Sequence, residues 1–402
     1  MHDHRVLGRD LGLFGSDPLI GAGLPYWLPA GAAVRHALEE YVREAERRAG
    51  YQHVYSPVLG KRELYELSGH WTHYREAMFP PMTVGSEEVL LRPSLCPHHC
   101  LIYRSRQRSH RDLPLRIAEL GAQFREEASG VLGGVTRVRA MQLNDAHIFC
   151  QPGQVAGEVG AVLDLIERAY ADLGITAHRY RLSLSGQGAK YVDDPAMWQL
   201  GEHALTELLR RRGLPFQAEC NEAAFYGPKI DVQVLDPTGR ESTLSTVQVD
   251  AYMPRQFDLS YIAADQSAQR PIIVHRSVLG SLERLVAHLT DVYGGAFPAW
   301  FAPVQVVALP VSDGQRAAAS VFAEGCAKAG LRVEVTEPDR GTLAARIRAH
   351  RLVPYQAVIG AREAGGGTVS LRLRSGNRLD LAPIDDALDR ITSTVNRRDH
   401  TL

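Results

Sequence analysis

Residues 91–100, LRPSLCPHHC, set two cysteines and two histidines within ten positions. That density of thiol and imidazole donors suits a transition metal. A catalytic zinc takes three protein ligands of the Cys and His type and keeps its fourth position open, so the other ligands can come from distant parts of the chain. Taken singly, the candidates stay open. An isolated cysteine such as Cys96 is more often a small buried hydrophobe than a ligand, and His98 and His99, which follow Pro97, are readable as surface residues. The five cysteines (Cys96, Cys100, Cys150, Cys220 and Cys326) include no CxxC pair and are too scattered over 402 residues for a disulfide framework, so reduced thiols are expected.

A second concentration of functional groups lies in GGVTRVRAMQLNDAHIF, residues 133–149. Side chains alternate along a strand, which places Arg137, Arg139, Met141, Leu143, Asp145 and His147 on one face. Two cations, a carboxylate and an imidazole there suit the floor of a site for an anionic ligand, with the arginines taking phosphate or carboxylate. The plainer alternative is a solvated strand with an incidental histidine.

The elements that must position these groups follow from periodicity. From Pro29 to Ala49 apolar residues recur at helical spacing and Gly50 can end the helix. YQHVYSPVL reads as a strand, and GAQFREE (121–127) pairs with 133–149 across a glycine-rich turn. A helix is expected over 153–173. Residues 222–250 form two strand-like runs around DPTG, and PIIVHRSVLGSLERLVAHLTDVYGG reads as strand, tight turn and helix. FPAWFAPVQ marks a boundary, giving expected domains of 1–298 and 299–402. Beyond it, strands alternate with helices, the first over 314–329, as in a separate α/β domain of about 100 residues.

Composition narrows the partners. Hydrophobic content of 45%, charged content of 23% and a net charge of -1 describe an ordinary globular protein without a general field for nucleic acid. Only Lys61, Lys190, Lys229 and Lys328 among the 45 basic residues are lysines. Residues 304–402 hold 14 basic and 11 acidic residues, a net of +3, enough only for local phosphate attraction. No apolar run of about 18 residues exists, and MHDHRVLGRDLGLFG lacks the features of a signal peptide. A cytoplasmic protein is expected.

The segments SGHW (68–71), LCPHH, SHRDLPLRIAELGAQFREE, LNDAHIFC, AFYGPKID and VHRSVLGSLERL resemble the catalytic domain of a class II threonyl-tRNA synthetase. The likeness continues through FPAWFAPVQV into that family's anticodon-binding domain, in the same order over nearly the whole chain. It implies an α/β protein: an antiparallel sheet flanked by helices, then a smaller α/β domain. Because it already starts near Leu11, the family's N-terminal editing region is expected to have no counterpart.

The resemblance also implies roles. Zinc would be held by Cys96, His147 and His275, with Cys100 a bystander, and would take the amino group and hydroxyl of threonine. A site built for a hydroxyl strongly rejects valine, whereas serine differs by one methyl, worth about 1–3 kcal/mol. Arg125 would bridge the carboxylate and the α-phosphate of Mg²⁺-bound ATP, Arg284 would hold the phosphates, and His70 would serve transfer to the tRNA ribose. Asp145, Tyr226, Lys229, Gln248, Leu143 and Ser94 would line the amino acid pocket, and Glu127, Arg137, Met141, Thr243 and Gly280 the ATP site. Pro57 falls in the segment that forms the family's dimer interface, and Glu363 and Arg372 at anticodon-reading positions.

Several residues depart from the family pattern. AMQLND stands where a glycine-phenylalanine-threonine-glutamine run usually precedes two aspartates. Met141 thus replaces an aromatic that covers adenine, and Leu143 a glutamine. Ser94 stands for a methionine, and Ser242-Thr243 for a tryptophan-glutamine pair. These changes admit a paralogue that activates another hydroxy amino acid or serves a biosynthetic pathway. A non-catalytic regulator is the third possibility, and the presence of both Arg125 and Arg284 speaks against it.

Overall fold

A computed structural model describes residues 3–402 except Ala189. The chain groups into two compact units: Ser16–Pro25 with Glu39–His288, and the stretch ending at Gly15 with Tyr26–Leu38 and Leu289–Leu402. Helix α1 (Pro29–Arg48) buries Val34, Leu38, Tyr41 and Val42, with Leu38 four residues after Val34 and three and four before Tyr41 and Val42. It gives way to Gly50 at φ 79°, a left-handed conformation that favours glycine.

The first unit is built on an eight-stranded sheet: β1 (Gln52–His53), β2 (Leu115–Phe124), β3 (Ala140–Cys150), β4 (Arg179–Leu184), β5 (Phe216–Cys220), β6 (Lys229–Leu235), β7 (Glu241–Asp250) and β8 (Ile272–Ser277). Their order is β5-β4-β6-β7-β8-β3-β2-β1. All neighbours are antiparallel except the two outermost pairs, β5 with β4 and β1 with β2. The β6–β7 connection is the expected DPTG turn, where Asp236 Oδ1 accepts from the backbone N–H of Thr238 and of Arg240.

Register decides what the sheet presents. His147 lies opposite His275, His275 opposite Gln248, and Gln248 opposite Lys229. Directly opposed residues share a face, so these four form one row across the middle of the sheet. Helix α2 (Cys96–Arg104) covers that face, packing Cys100 and Tyr103 with Ile117, Phe149 and Ile273. Helix α3 (Val155–Leu173) covers the other, and its Tyr170 hydroxyl lies 2.8 Å from Ser245 Oγ on β7. With both faces covered, the central strand β8 is buried along its whole length. A turn of Val278 to Ser281 leads from β8 into α4 (Leu282–Tyr293).

One expectation needs correction. The strand anticipated from residue 133 begins only at Ala140, and residues 133–139 form a turn with a single bridge between Gly133 and Arg137. Arg137 and Arg139 therefore do not alternate with Asp145 and His147 on a strand face. They are held by Glu127: its carboxylate accepts from Arg137 Nε at 3.0 Å and its carbonyl from Arg139 Nε at 3.0 Å. These ties pull the chain out of line with the strand.

In the second unit five strands, β9 (Val306–Pro310), β10 (Val333–Val335), β11 (Tyr355–Ile359), β12 (Thr368–Leu373) and β13 (Ala382–Pro383), run in the order β10-β9-β11-β12-β13. The first three are parallel and the last two antiparallel. Val306, Ala308, Tyr355 and Leu371 pack with Phe322 of α5 (Arg316–Lys328) and Ile391 of α6 (Ile384–Arg397).

Candidate active site

Cys96 opens α2, His147 lies on β3 and His275 on β8. The thiol sulfur and one nitrogen of each imidazole all lie within 4.8 Å of one another, and all three residues are buried. Residues 51 and 179 positions from Cys96 reach it because the register of β3 and β8 makes the two imidazoles neighbours, with ring centroids 4.6 Å apart. Cys100, one turn further along α2, packs in the apolar core beside Cys96 but is not one of this group.

The outer contacts decide which nitrogens are free to ligate. His275 Nε2 lies 2.8 Å from Asp250 Oδ2, and Asp250 Oδ1 accepts from the backbone N–H of Tyr252 and Met253. A carboxylate only accepts, so the proton sits on Nε2 and Nδ1 keeps its lone pair. His147 Nδ1 lies 2.8 Å from His99 Nδ1, and His99 Nε2 lies 3.3 Å from Glu119 Oε2. With His99 donating to Glu119, its Nδ1 accepts from His147, which leaves His147 Nε2 free. Glu119 is anchored in turn by Ser56 Oγ at 2.6 Å and Arg92 Nη2 at 3.0 Å. Burial raises its carboxyl, but His99, Ser56 and Arg92 outweigh that and bring it down to about 2.

Burial pushes the Cys96 thiol up and the His147 imidazole down, the latter also opposed by the neighbouring imidazoles and Arg276. Such groups stay uncharged until a cation reverses the balance and takes the thiolate. One sulfur and two imidazole nitrogens, each imidazole steadied by an outer hydrogen bond, form a donor set that fits zinc better than magnesium or calcium.

Around the cluster, Ser94 Oγ lies 2.7 Å from Cys96 Sγ. His70 is buried, with Ser68 Oγ 2.9 Å from its Nδ1 and Cys96 Sγ 3.8 Å from its Nε2. Burial, then His275, Arg125 and His73, bring its imidazole down to about 3, so it is neutral near pH 7. Tyr226 stacks on His275 at 4.7 Å and its hydroxyl donates to Gln248 Oε1 at 2.6 Å. Lys229 Nζ lies 2.8 Å from Asp231 Oδ2, to which Arg181 and Ser183 also donate. Asp145, raised by burial, accepts from Gln123 Nε2 at 3.3 Å. Leu143 pairs through its backbone with Ser281 and offers no polar side-chain atom.

Gln123 links this pocket to the arginines, since its Oε1 accepts from Arg125 Nη2 at 3.2 Å. Arg284 donates to the carbonyls of Thr136 at 3.2 Å and Thr243 at 3.0 Å. Its guanidinium is depressed by burial and then by the charges of Arg125 and Arg137, against which only Glu127 acts. Arg284 thus lies in the field of Arg125 and Arg137, of which Arg137 pairs with the Glu127 carboxylate, and this excess of positive charge makes a place where a polyanion is stabilised. Met141 lies opposite Gln123 on the neighbouring strand. Gly280 has φ +65°, and a Cβ there would meet the Leu244 carbonyl oxygen at 2.4 Å, so its glycine is required by the protein's own backbone.

In the second unit, Glu363 Oε2 accepts from the Gly360 N–H at 3.0 Å, and Arg372 on β12 lies opposite Gln356.

The sequence reading passed over Glu119, Arg92, Asp250 and Gln123, and gave His99 no role beside His147. His98 and His99 are both buried, in contrast to the surface alternative, because Pro97 sets them into the first turn of a helix that is itself covered. Glu119 on β2 lies opposite Asp145 on β3, a pairing set by strand register and not by any local spacing.

Residues 82–293 match the tRNA synthetase class II core domain (G, H, P, S and T), and residues 305–394 the anticodon binding domain. The chain is 44% identical over 400 residues to a threonine–tRNA ligase of Geobacillus sp. (strain WCH70), covering 98% of this chain and 62% of that protein. It is 43% identical over 400 residues to threonine–tRNA ligase 1 of Bacillus subtilis (strain 168), with the same coverage of 98% and 62%. It thus spans about 62% of the length of these curated relatives. A crystal structure described as the RNA binding domain of threonyl-tRNA synthetase from Cryptosporidium parvum Iowa II superposes with a TM-score of 0.92 at 34% identity, covering 98% of each chain.

Proposed function

The chain belongs to the threonyl-tRNA synthetase family of class II synthetases, and from that premise we propose that it activates L-threonine with ATP and transfers it to tRNA(Thr). The observation that carries the reading is the convergence of Cys96, His147 and His275 within 4.8 Å. These three would hold zinc, which when bound supplies a Lewis acid with an open position for a β-hydroxy amine. Asp145, at the next site-facing position before His147, orients the substrate hydroxyl, and Tyr226, Gln248 and Lys229 close the pocket around it.

The threonine carboxylate attacks the α-phosphorus of Mg²⁺-bound ATP; a P–O bond forms to give threonyl-adenylate and the α–β bond breaks to release pyrophosphate. The protein's part is positioning and charge: Arg125 reaches carboxylate and α-phosphate, and Arg284, with Arg137 near it, balances the leaving phosphates. In the second step a terminal ribose hydroxyl of the tRNA attacks the acyl carbon and AMP leaves. His70 faces that step as a neutral imidazole, its Nδ1 fixed by Ser68. Glu363 and Arg372 would read the anticodon. The segment around Pro57, with Tyr55 80% exposed beside it, would form a homodimer. Its site of action would be the cytoplasm; among the described residues no helix is long and apolar enough to cross a membrane.

Leu143 and Ser94 favour a second reading, a synthetase that activates a different hydroxy amino acid. Amino-acid-dependent exchange of pyrophosphate into ATP separates the two. Threonine is expected to drive exchange well above background and valine not at all. Exchange with another hydroxy amino acid but not with threonine supports the second reading; no exchange with any amino acid removes both.

A further inference from the structure

Behind the row of site residues, on the opposite face of the sheet, lies a buried charged cluster that the mechanism does not use. Arg276 follows His275 on β8 and Asn144 precedes Asp145 on β3, so both project away from the site. Arg276 Nη2 lies 2.7 Å from Glu46 Oε1 on α1, with both side chains 1% exposed or less. The guanidinium also stacks over the Tyr51 ring at 4.2 Å. Glu46 accepts from Asn144 Nδ2 at 2.7 Å through the same Oε1, and its Oε2 lies 2.7 Å from His53 Nε2. Burial would raise the Glu46 carboxyl, yet Arg276, His53 and Asn144 hold it below its ordinary value.

Asn144 is the member with contacts on both sides. Its Oδ1 accepts from the Val278 N–H at 3.2 Å and from Arg276 Nη1 at 3.4 Å. Its carbonyl accepts from Ser277 Oγ at 2.6 Å, and its N–H donates to the Gly280 carbonyl at 3.1 Å. One residue thus holds three members of the segment Ser277 to Gly280, which has His275 at one end and Arg284 at the other. The Val278 N–H fixes which amide atom is oxygen, so the nitrogen must face Glu46. A carboxylate at position 144 would keep the contacts to Val278 and Arg276 but set a second negative oxygen 2.7 Å from Glu46. Two carboxylates that close cannot both ionise.

We propose that Asn144 is a positioning residue: as a neutral amide matched to the single carboxylate of Glu46, it locks the Ser277 to Gly280 segment and so fixes the metal-ligating His275 against the phosphate-facing Arg284. This rests on the function proposed above, since it assigns those two residues their ligands. Glu46 is its matched partner, so the cluster tolerates one carboxylate and either position can carry it.

The test compares the parent chain, loaded with zinc, with Asn144→Asp, Glu46→Gln and the double variant. The readouts are the Kd for ATP by calorimetry without amino acid and zinc per chain by elemental analysis, with thermal unfolding alongside. Asn144→Asp is expected to weaken ATP about tenfold and lose zinc more readily, and the double variant to return to within about threefold of the parent, a coupling in the range of contacting residues. If Asn144→Asp binds ATP and zinc like the parent while only its melting point falls, the residue is merely structural and the proposal is overturned. It is overturned equally if the double variant is no better than Asn144→Asp. Should Asn144→Asp not fold, Asn144→Ser removes the bond to Glu46 without adding charge. Weaker ATP binding then supports the proposal, and unchanged binding ends it. A parent that binds ATP and zinc but exchanges pyrophosphate with no amino acid fails the proposed function and leaves this test readable.

Discussion

The two sheets of this protein handle burial in opposite ways. In the first unit the central strands bury Glu119, Asn144, Asp145, His147, Asp231, Asp250, His275 and Arg276. In the second, β9 is buried along its whole length through apolar side chains alone, and the core is Val306, Ala308, Phe322, Tyr355 and Ile391. The buried polar groups there are structural: Arg346 donates to the carbonyls of Pro310 and Thr336 at 2.8 Å, and Gln356 on β11 to those of Ile347 at 3.3 Å and His350 at 2.9 Å. A desolvated polar group is costly unless paired, and the first unit meets that cost with chains of contacts such as Glu119–His99–His147. Chemistry drawn from a sheet interior therefore depends on several residues at once. Recognition drawn from the rim of an apolar sheet depends on few, and substitutions there are expected to be milder.

The largest expected effect is at the cluster itself. Cys96→Ala should take zinc from about one per chain to about none and abolish threonine-dependent exchange. Zinc retained at full occupancy, measured by elemental analysis, removes Cys96 from the ligand set. Next comes Arg284→Ala, where the loss of a charge-stabilising donor should cost about 10²–10³ in exchange rate with zinc unchanged. A rate near the parent's would take Arg284 out of the phosphate site.

Glu119→Gln sharpens the contrast at a smaller scale. Loss of an outer-shell carboxylate is expected to weaken zinc about 10–100-fold, read by competition with a chelator. The same carboxyl sets a pH dependence. Its value falls from an ordinary 4.5 to about 2 on folding, so its stabilisation is complete above pH 4.5 and is lost as the pH falls from there toward about 2. Acid unfolding of Glu119→Gln should start from a lower stability and fall less steeply across that window. An identical acid profile would mean Glu119 holds nothing in place.

What the sequence disclosed follows the same division. The α/β alternation after FPAWFAPVQ was legible because a single apolar core imposes simple periods on its strands and helices. The grouping of Cys96, His147 and His275 was legible through family resemblance, and the shared face of Asp145 and His147 through strand alternation. Arg137 and Arg139 were misplaced because that alternation was extended into a turn held by Glu127. The outer shell and the Asn144 cluster left no local trace: His99 meets His147 across 48 positions and Asn144 meets Glu46 across 98. Only strand register and helix placement bring such pairs together, and neither is written in a window of residues.

The smallest effect is expected in the second unit. On β12, Val369, Leu371 and Leu373 face the core, which leaves Arg372 on the other face, half-buried and bridged through its backbone to Arg378. A lone phosphate or base contact there adds to affinity without touching the adenylate chemistry. Arg372→Ala should leave threonine-dependent exchange unchanged, weaken tRNA binding modestly and lower the slope of log affinity against log salt by about one. Filter binding over a salt series measures this directly. If exchange fell with the binding, the apolar sheet would be doing more than recognition, and the contrast between the two units would not hold.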